Sequence, residues 1–296
     1  MTKFSLNKYT ILLSMLLLFC LTASVQAQDQ SVEALADRAR NAGISGELVD
    51  EMIQRGRSQG VSDQQLSEVL NIAIEMSNQN LPADLAIQKS LEGFSKGVPA
   101  SRIVPVLNKV HQSVGEAAKV VDPWMKSEEV QQMVGRSSQT QDHFRNELTK
   151  ATSKSFMQDL PSDAVSQVLE QIGDNSVLNN AGPADIIAAM GILPDLPQAK
   201  NNPQESGTFL VRALKGGFKA DELQKLPSAM QFAQQRSELP AASVVQGVAN
   251  QMRGNIPAKQ ILKNLFNGKV GGGPPGDIPK GLKNNKGRGN GNSNGT

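Results

Sequence analysis

Residues 81–103 read LPADLAIQKSLEGFSKGVPASRI, and residues 239–261 read LPAASVVQGVANQMRGNIPAKQI. Laid together without a gap, Leu81-Pro82-Ala83 meets Leu239-Pro240-Ala241, Gln88 meets Gln246, Pro99-Ala100 meets Pro257-Ala258, and Ile103 meets Ile261. Just beyond, Leu107 meets Leu265. Chance supplies one such match, but the whole set in one frame marks a duplicated unit. Each copy carries one phrase twice: an apolar residue, then Pro, then a second apolar residue five positions after the first, with Ala86 a weak partner for Leu81. The phrase describes a helix beginning. Ser or Pro suits the cap or first turn, and the apolar pair can close across that turn as a hydrophobic staple.

The same phrase recurs at Ile44-Ser45 with Val49, Val61-Ser62 with Leu66, and Leu160-Pro161 with Val165. Its first apolar residues fall at 44, 61, 81 and 98, and again at 218, 239 and 256, so a shorter interval alternates with a longer one. Two intervals sum to 37 or 38 residues, a period typical of stacked helical hairpins. Between the marks the spacing is helical: Leu66, Val69, Leu70 and Ala73 stand at i, i+3, i+4 and i+7 with polar residues elsewhere. No segment alternates long enough to argue a strand. Aromatics make up only 4% of the chain, which suits helices packed closely through Leu, Ile, Val, Ala and Met. The predicted fold class is all-α, with stacked helical hairpins forming an α-solenoid-like array or a compact helical bundle.

The pattern also divides the chain. Lys3 and Lys8, an apolar stretch from Ile11 to Leu21, and Val25-Gln26-Ala27 predict a signal peptide over 1–27, cleaved after Ala27. Cys20 lies inside it after the bulky Phe19, which argues against lipoprotein processing. Residues 28–190 form a helical-hairpin region with a divergent middle, in which Asp122-Pro123 predicts a new helix carrying Trp124, Met125, Val130 and Met133, ended by Gly135. Pro105 is expected to kink the helix that starts near Pro99. Pro194, Pro197 and Pro203, with Asn201 and Asn202, make 191–206 a connector or an ordered surface loop, and 207–267 return to the repeat. The Gly-, Asn- and Lys-rich tail, 268–296, has too little apolar surface to offset ordering entropy and is expected to be disordered.

Composition narrows the function classes. Without its leader the chain has no cysteine, so disulfides, thiolate metal sites and thiol catalysis are not expected. The processed chain carries 28 basic and 28 acidic side chains; Lys269, Lys280, Lys283, Lys286 and Arg288 against Asp277 give the tail a surplus and leave the body weakly acidic. That distribution argues against nucleic acid, which favours a basic folded face. His111 sits on the apolar side of a helix and reads as a structural histidine. His143 and Glu147, four apart, read as a solvent-facing ion pair, since two ligands do not make a metal site. Gly43-Ile44-Ser45-Gly46 lacks the spacing of a nucleophile elbow, and no phosphate-binding loop follows the later glycines. No catalytic residue, metal or cofactor is assigned.

The expectation is therefore an exported, non-enzymatic helical repeat protein, periplasmic or extracellular, that serves as a protein- or envelope-polymer-binding scaffold. The binding candidates are Lys280, Lys283, Lys286 and Arg288, spaced among glycines where they can follow an irregular anionic surface. Self-association, with the basic tail against the acidic body of another copy, is a further reading. The alternative is an envelope hydrolase acting on cell-wall material with acids drawn from separate helices.

Overall fold

The computed structural model describes residues 31–270. The expected leader, and the tail beyond Val270 with its four candidate cations, lie outside the described residues. In chain order the helices are α1 Val32–Asn41, α2 Gly46–Ser58, α3 Asp63–Asn78, α4 Asp84–Ser95, α5 Ala100–Trp124, α6 Glu128–Gly135, α7 Gln141–Met157 and α8 Ser162–Ile172. There follow α9 Asn175–Leu178, α10 Pro183–Ile192 with a 3-10 turn Leu193–Asp195, α11 Pro203–Lys215, α12 Ala220–Leu223, α13 Leu226–Ser237, α14 Ala241–Arg253 and α15 Ala258–Phe266. The fold is all-α, with no strand among the described residues.

The Ser and Pro marks stand at helix entrances. Ser45, Ser62, Pro99, Pro161, Pro240 and Pro257 are the N-caps of α2, α3, α5, α8, α14 and α15. Ser62 closes a full capping box with Gln65, whereas the prolines accept no capping bond and contribute a fixed φ instead. The residue before each phrase completes the turn. Gly43, Gly60, Asn80, Gly97, Asp159, Gly217, Glu238 and Asn255 all have positive φ. At most of these junctions the next residue's N–H reaches back to the closing turn, as in Ile44 to Ala39 O (3.1 Å), Val61 to Gly56 O (3.0 Å), Leu160 to Ser155 O (3.0 Å) and Ile256 to Gln251 O (3.1 Å). This is a Schellman closure run straight into the next cap, so one short module ends a helix, turns the chain and starts another.

Helices pack chiefly on the helix one hairpin away. In the front half α1 lies on α3, α2 on α4, and α3 on α5. Polar contacts follow the same period: Asp84 accepts from the Ser45 N–H at 3.3 Å, and the Ser77 hydroxyl donates to Ala42 O at 2.5 Å. Further on, α5 packs most extensively on α7, α7 on α10, α8 on α11, and α13 on α15. Apolar side chains form two clusters, one from Val32 to Ala118 and the other from Val121 to Val270. They meet along α5, whose 25 residues extend roughly 37 Å and serve both. The stretch 191–206 lies within the larger cluster, where Leu193, Leu196 and Ala199 are buried. Pro203 is the first residue of α11.

Two local expectations are corrected. Asp122-Pro123 does not open a helix, because α5 runs to Trp124 and the next helix is capped at Ser127. Tertiary contact overrides the local signal here: Asp122 receives both Arg145 Nε (2.7 Å) and Nη2 (2.9 Å) from α7, while Arg145 Nη1 donates to Asn80 O at 2.8 Å. His143 and Glu147 form no ion pair, since Glu147 accepts from Lys150 at 2.8 Å. Gly135 does close α6, and α5 continues through an exposed Pro105.

Candidate interaction surface

The last hairpin ends as the others do, with one substitution in its turn. Gly268 has φ +74°, and the Lys269 N–H returns to Asn264 O at 2.8 Å, but Lys269 stands where earlier junctions place an apolar residue. The chain then crosses α14. Gln251 Nε2 donates to Val270 O at 2.9 Å, and Asn264 Nδ2 donates to Gln251 Oε1 at 2.8 Å. A Cβ at Gly247 would lie 2.4 Å from Val270 Cγ1 and 2.5 Å from its carbonyl oxygen, so glycine makes the seat for this strap.

The outer face of α15 is set by its periodicity. Ala258, Ile261, Leu262 and Leu265 are buried, which leaves Lys259, Lys263 and Phe266 at i, i+4 and i+7 on the exposed side. On the adjacent helix α13, Phe232 and Arg236 are exposed in the same way. The two rings stand 6.1 Å apart at 59°, Arg236 lies 4.7 Å over Phe232, and its Nη1 donates to Phe266 O at 3.5 Å. Among the described residues the exposed large hydrophobics are Val106, Phe232 and Phe266, so this contact gathers two of them. Beside it, Gln231, Gln234, Gln235, Glu238 and Leu239 line an open groove of about 490 Å³.

Charge is distributed unevenly along the stack. From 31 to 238 the sequence has 26 acidic against 20 basic side chains, whereas 239–270 holds Arg253, Lys259, Lys263 and Lys269 and no acid. Among the described residues no carboxylate comes within salt-bridge distance of these four. The opposite end behaves differently. In a 650 Å³ groove on α1 and α2, Arg40 joins Asp37 and Asp50, and Arg57 joins Glu33 and Asp63. The Arg57 hydrogen bond holds the Glu33 carboxyl below its ordinary range, and Asp50 raises the Arg40 guanidinium. Cations there are matched, while those on α14 and α15 face solvent.

This surface lies just before Gly268, where the glycines begin, and a chain divided there counts Lys259 and Lys263 within an acidic body. The signal was the uninterrupted absence of acid from Leu239 to Gly276. The histidines do not converge: His111 meets Gln79 Oε1 at 3.1 Å, and His143 is exposed on α7. Among the described residues no group of three or more His, Cys, Asp or Glu is placed to hold a metal. The buried acids Asp185 and Glu222 come from separate helices, but both serve as caps. Asp185 accepts from the Gly182 and Ala220 N–H groups and from Lys219 Nζ, and Glu222 accepts from the Lys219 N–H. Among the described residues no helix is long and apolar enough to cross a membrane. Comparison with protein-family models, curated proteins and solved structures yields no match.

Proposed function

We propose that the chain is an exported, non-enzymatic helical repeat protein that binds an anionic partner of the cell envelope at the C-terminal end of its stack. One observation carries the reading: Lys259 and Lys263 stand unpaired beside the exposed Phe232–Phe266 contact, on a hairpin without acids. An exposed charged patch is ordinarily a solvated surface. This one adds adjoining, partly exposed rings to unmatched cations, the combination expected where binding both attracts and desolvates. The candidate cations Lys280, Lys283, Lys286 and Arg288 follow directly in sequence and extend the same charge. The hairpin stack supplies a rigid support, and the capped, buried Asp185 and Glu222 are structural.

Dextran sulfate is a suitable probe of the charge. The processed chain should bind it at low salt and release it as ionic strength rises, and Lys259→Glu with Lys263→Glu should weaken binding at least tenfold. Unchanged binding by that variant would remove α15 from the proposed surface.

A further inference from the structure

Resting on that reading, we propose that the anionic partner is the surface of a lipid bilayer, engaged edge-on by the outer faces of α13 and α15. Two partly exposed rings narrow the choice of partner. Phe232 and Phe266 are 39% and 40% exposed, touch one another, and carry no hydroxyl or N–H with which to address a sugar or phosphate. A soluble polyanion would satisfy Lys259 and Lys263 yet leave the exposed part of both rings in water. A bilayer interface satisfies both, because anionic headgroups draw the cations while the boundary beneath them receives apolar side chains.

The geometry suits shallow contact. The other side of α15 is committed to the core through Ile261 and Leu265, both fully buried, so the helix cannot roll inward and only its rim reaches the headgroups. Arg236 lies over the Phe232 ring and reaches the Phe266 carbonyl, which places a third cation at the level of the rings.

The test uses the processed full-length chain in co-sedimentation with vesicles of phosphatidylcholine alone and of phosphatidylcholine with a quarter phosphatidylglycerol, with dextran sulfate binding measured in parallel. The chain is expected to bind the anionic vesicles and not the neutral ones. Phe232→Ser with Phe266→Ser should weaken vesicle binding by about tenfold or more and leave dextran sulfate binding unchanged. Lys259→Gln with Lys263→Gln should weaken both, by about fivefold per cation on vesicles. All four side chains are exposed, so circular dichroism of each variant should match the parent. Binding to dextran sulfate but not to anionic vesicles, or vesicle binding indifferent to the serines, overturns the bilayer assignment and leaves an anionic partner standing. Failure to bind either probe overturns the functional reading itself.

Discussion

Replacing glycine by alanine at Gly207 and at Gly115 should move stability in opposite directions, and the packing between α8 and α11 is the reason. Both residues lie within helices, where alanine gains about 0.5–1 kcal/mol over glycine. A Cβ at Gly115 meets nothing within 4 Å, so Gly115→Ala keeps the whole gain. At Gly207 the new Cβ would lie 2.1 Å from Val168 Cγ2 and 3.3 Å from Val168 Cβ. Ordinary carbon contacts are about 3.5–4.0 Å, so either α8 and α11 separate locally or Val168 leaves its preferred rotamer. Val168 is buried and β-branched, and turning its side chain does not move its own Cβ. Overpacking of this depth costs about 2–3 kcal/mol, which leaves Gly207→Ala about 1–2.5 kcal/mol less stable than the parent. At about 2–4 °C per kcal/mol for a chain of this size, thermal unfolding followed at 222 nm should show Gly207→Ala melting about 2–10 °C lower. Gly115→Ala should melt about 1–4 °C higher. A Gly207→Ala protein as stable as the parent would refute the claim that these helices approach through an absent side chain.

Glu238 occupies a left-handed position that glycine fills at four comparable junctions, so Glu238→Gly should stabilise by about 0.5–1 kcal/mol, read from the urea midpoint at unchanged slope. Ser62→Ala removes the Oγ that accepts from the Gln65 N–H, while the residue-62 N–H can still donate to the Gln65 side chain; it should cost about 1 kcal/mol, with faster hydrogen exchange at the Gln65 amide, and unaltered exchange would argue that the cap is idle. Arg145→Leu strands Asp122 and the Asn80 carbonyl and should cost about 1–2 kcal/mol after allowance for solvent, with a double-mutant cycle against Asp122→Asn showing coupling. Glu92 bonds Lys89 and Lys96, which lower its pKa from 4.5 to about 2. A lowered carboxyl pKa stabilises the fold above the unfolded value and loses that contribution as pH falls from 4.5 towards 2. Because Glu92 is 43% exposed, salt should shrink the effect, and an NMR titration midpoint near 4.5 at low salt would contradict the assignment.

The candidate surface was half legible. Lys259, Lys263 and Phe266 share a helix face by spacing alone, and the missing acids after Glu238 are plain in the sequence. Nothing local brings Phe232 to Phe266, which lies 34 residues further along the chain. That contact exists because α13 packs on α15 across the intervening α14, one hairpin step along the stack. The His143–Glu147 pairing failed for a related reason: a shared helix face permits a contact, but Lys150 offered Glu147 a full positive charge one turn away.

The sequence by itself determined where the helices that carry the Ser or Pro phrase begin. Where the phrase occurs, the junction is closed within about six residues, in most cases by a left-handed residue, a backward hydrogen bond and a cap, so its energetics are local and readable from neighbouring letters. Tertiary structure decided which helices touch, where the core divides along α5, and that Asp122 would close one helix onto Arg145 instead of opening another. Those outcomes come from many weak contacts between residues distant in the chain, summed over whole helix faces, and no short phrase contains that sum.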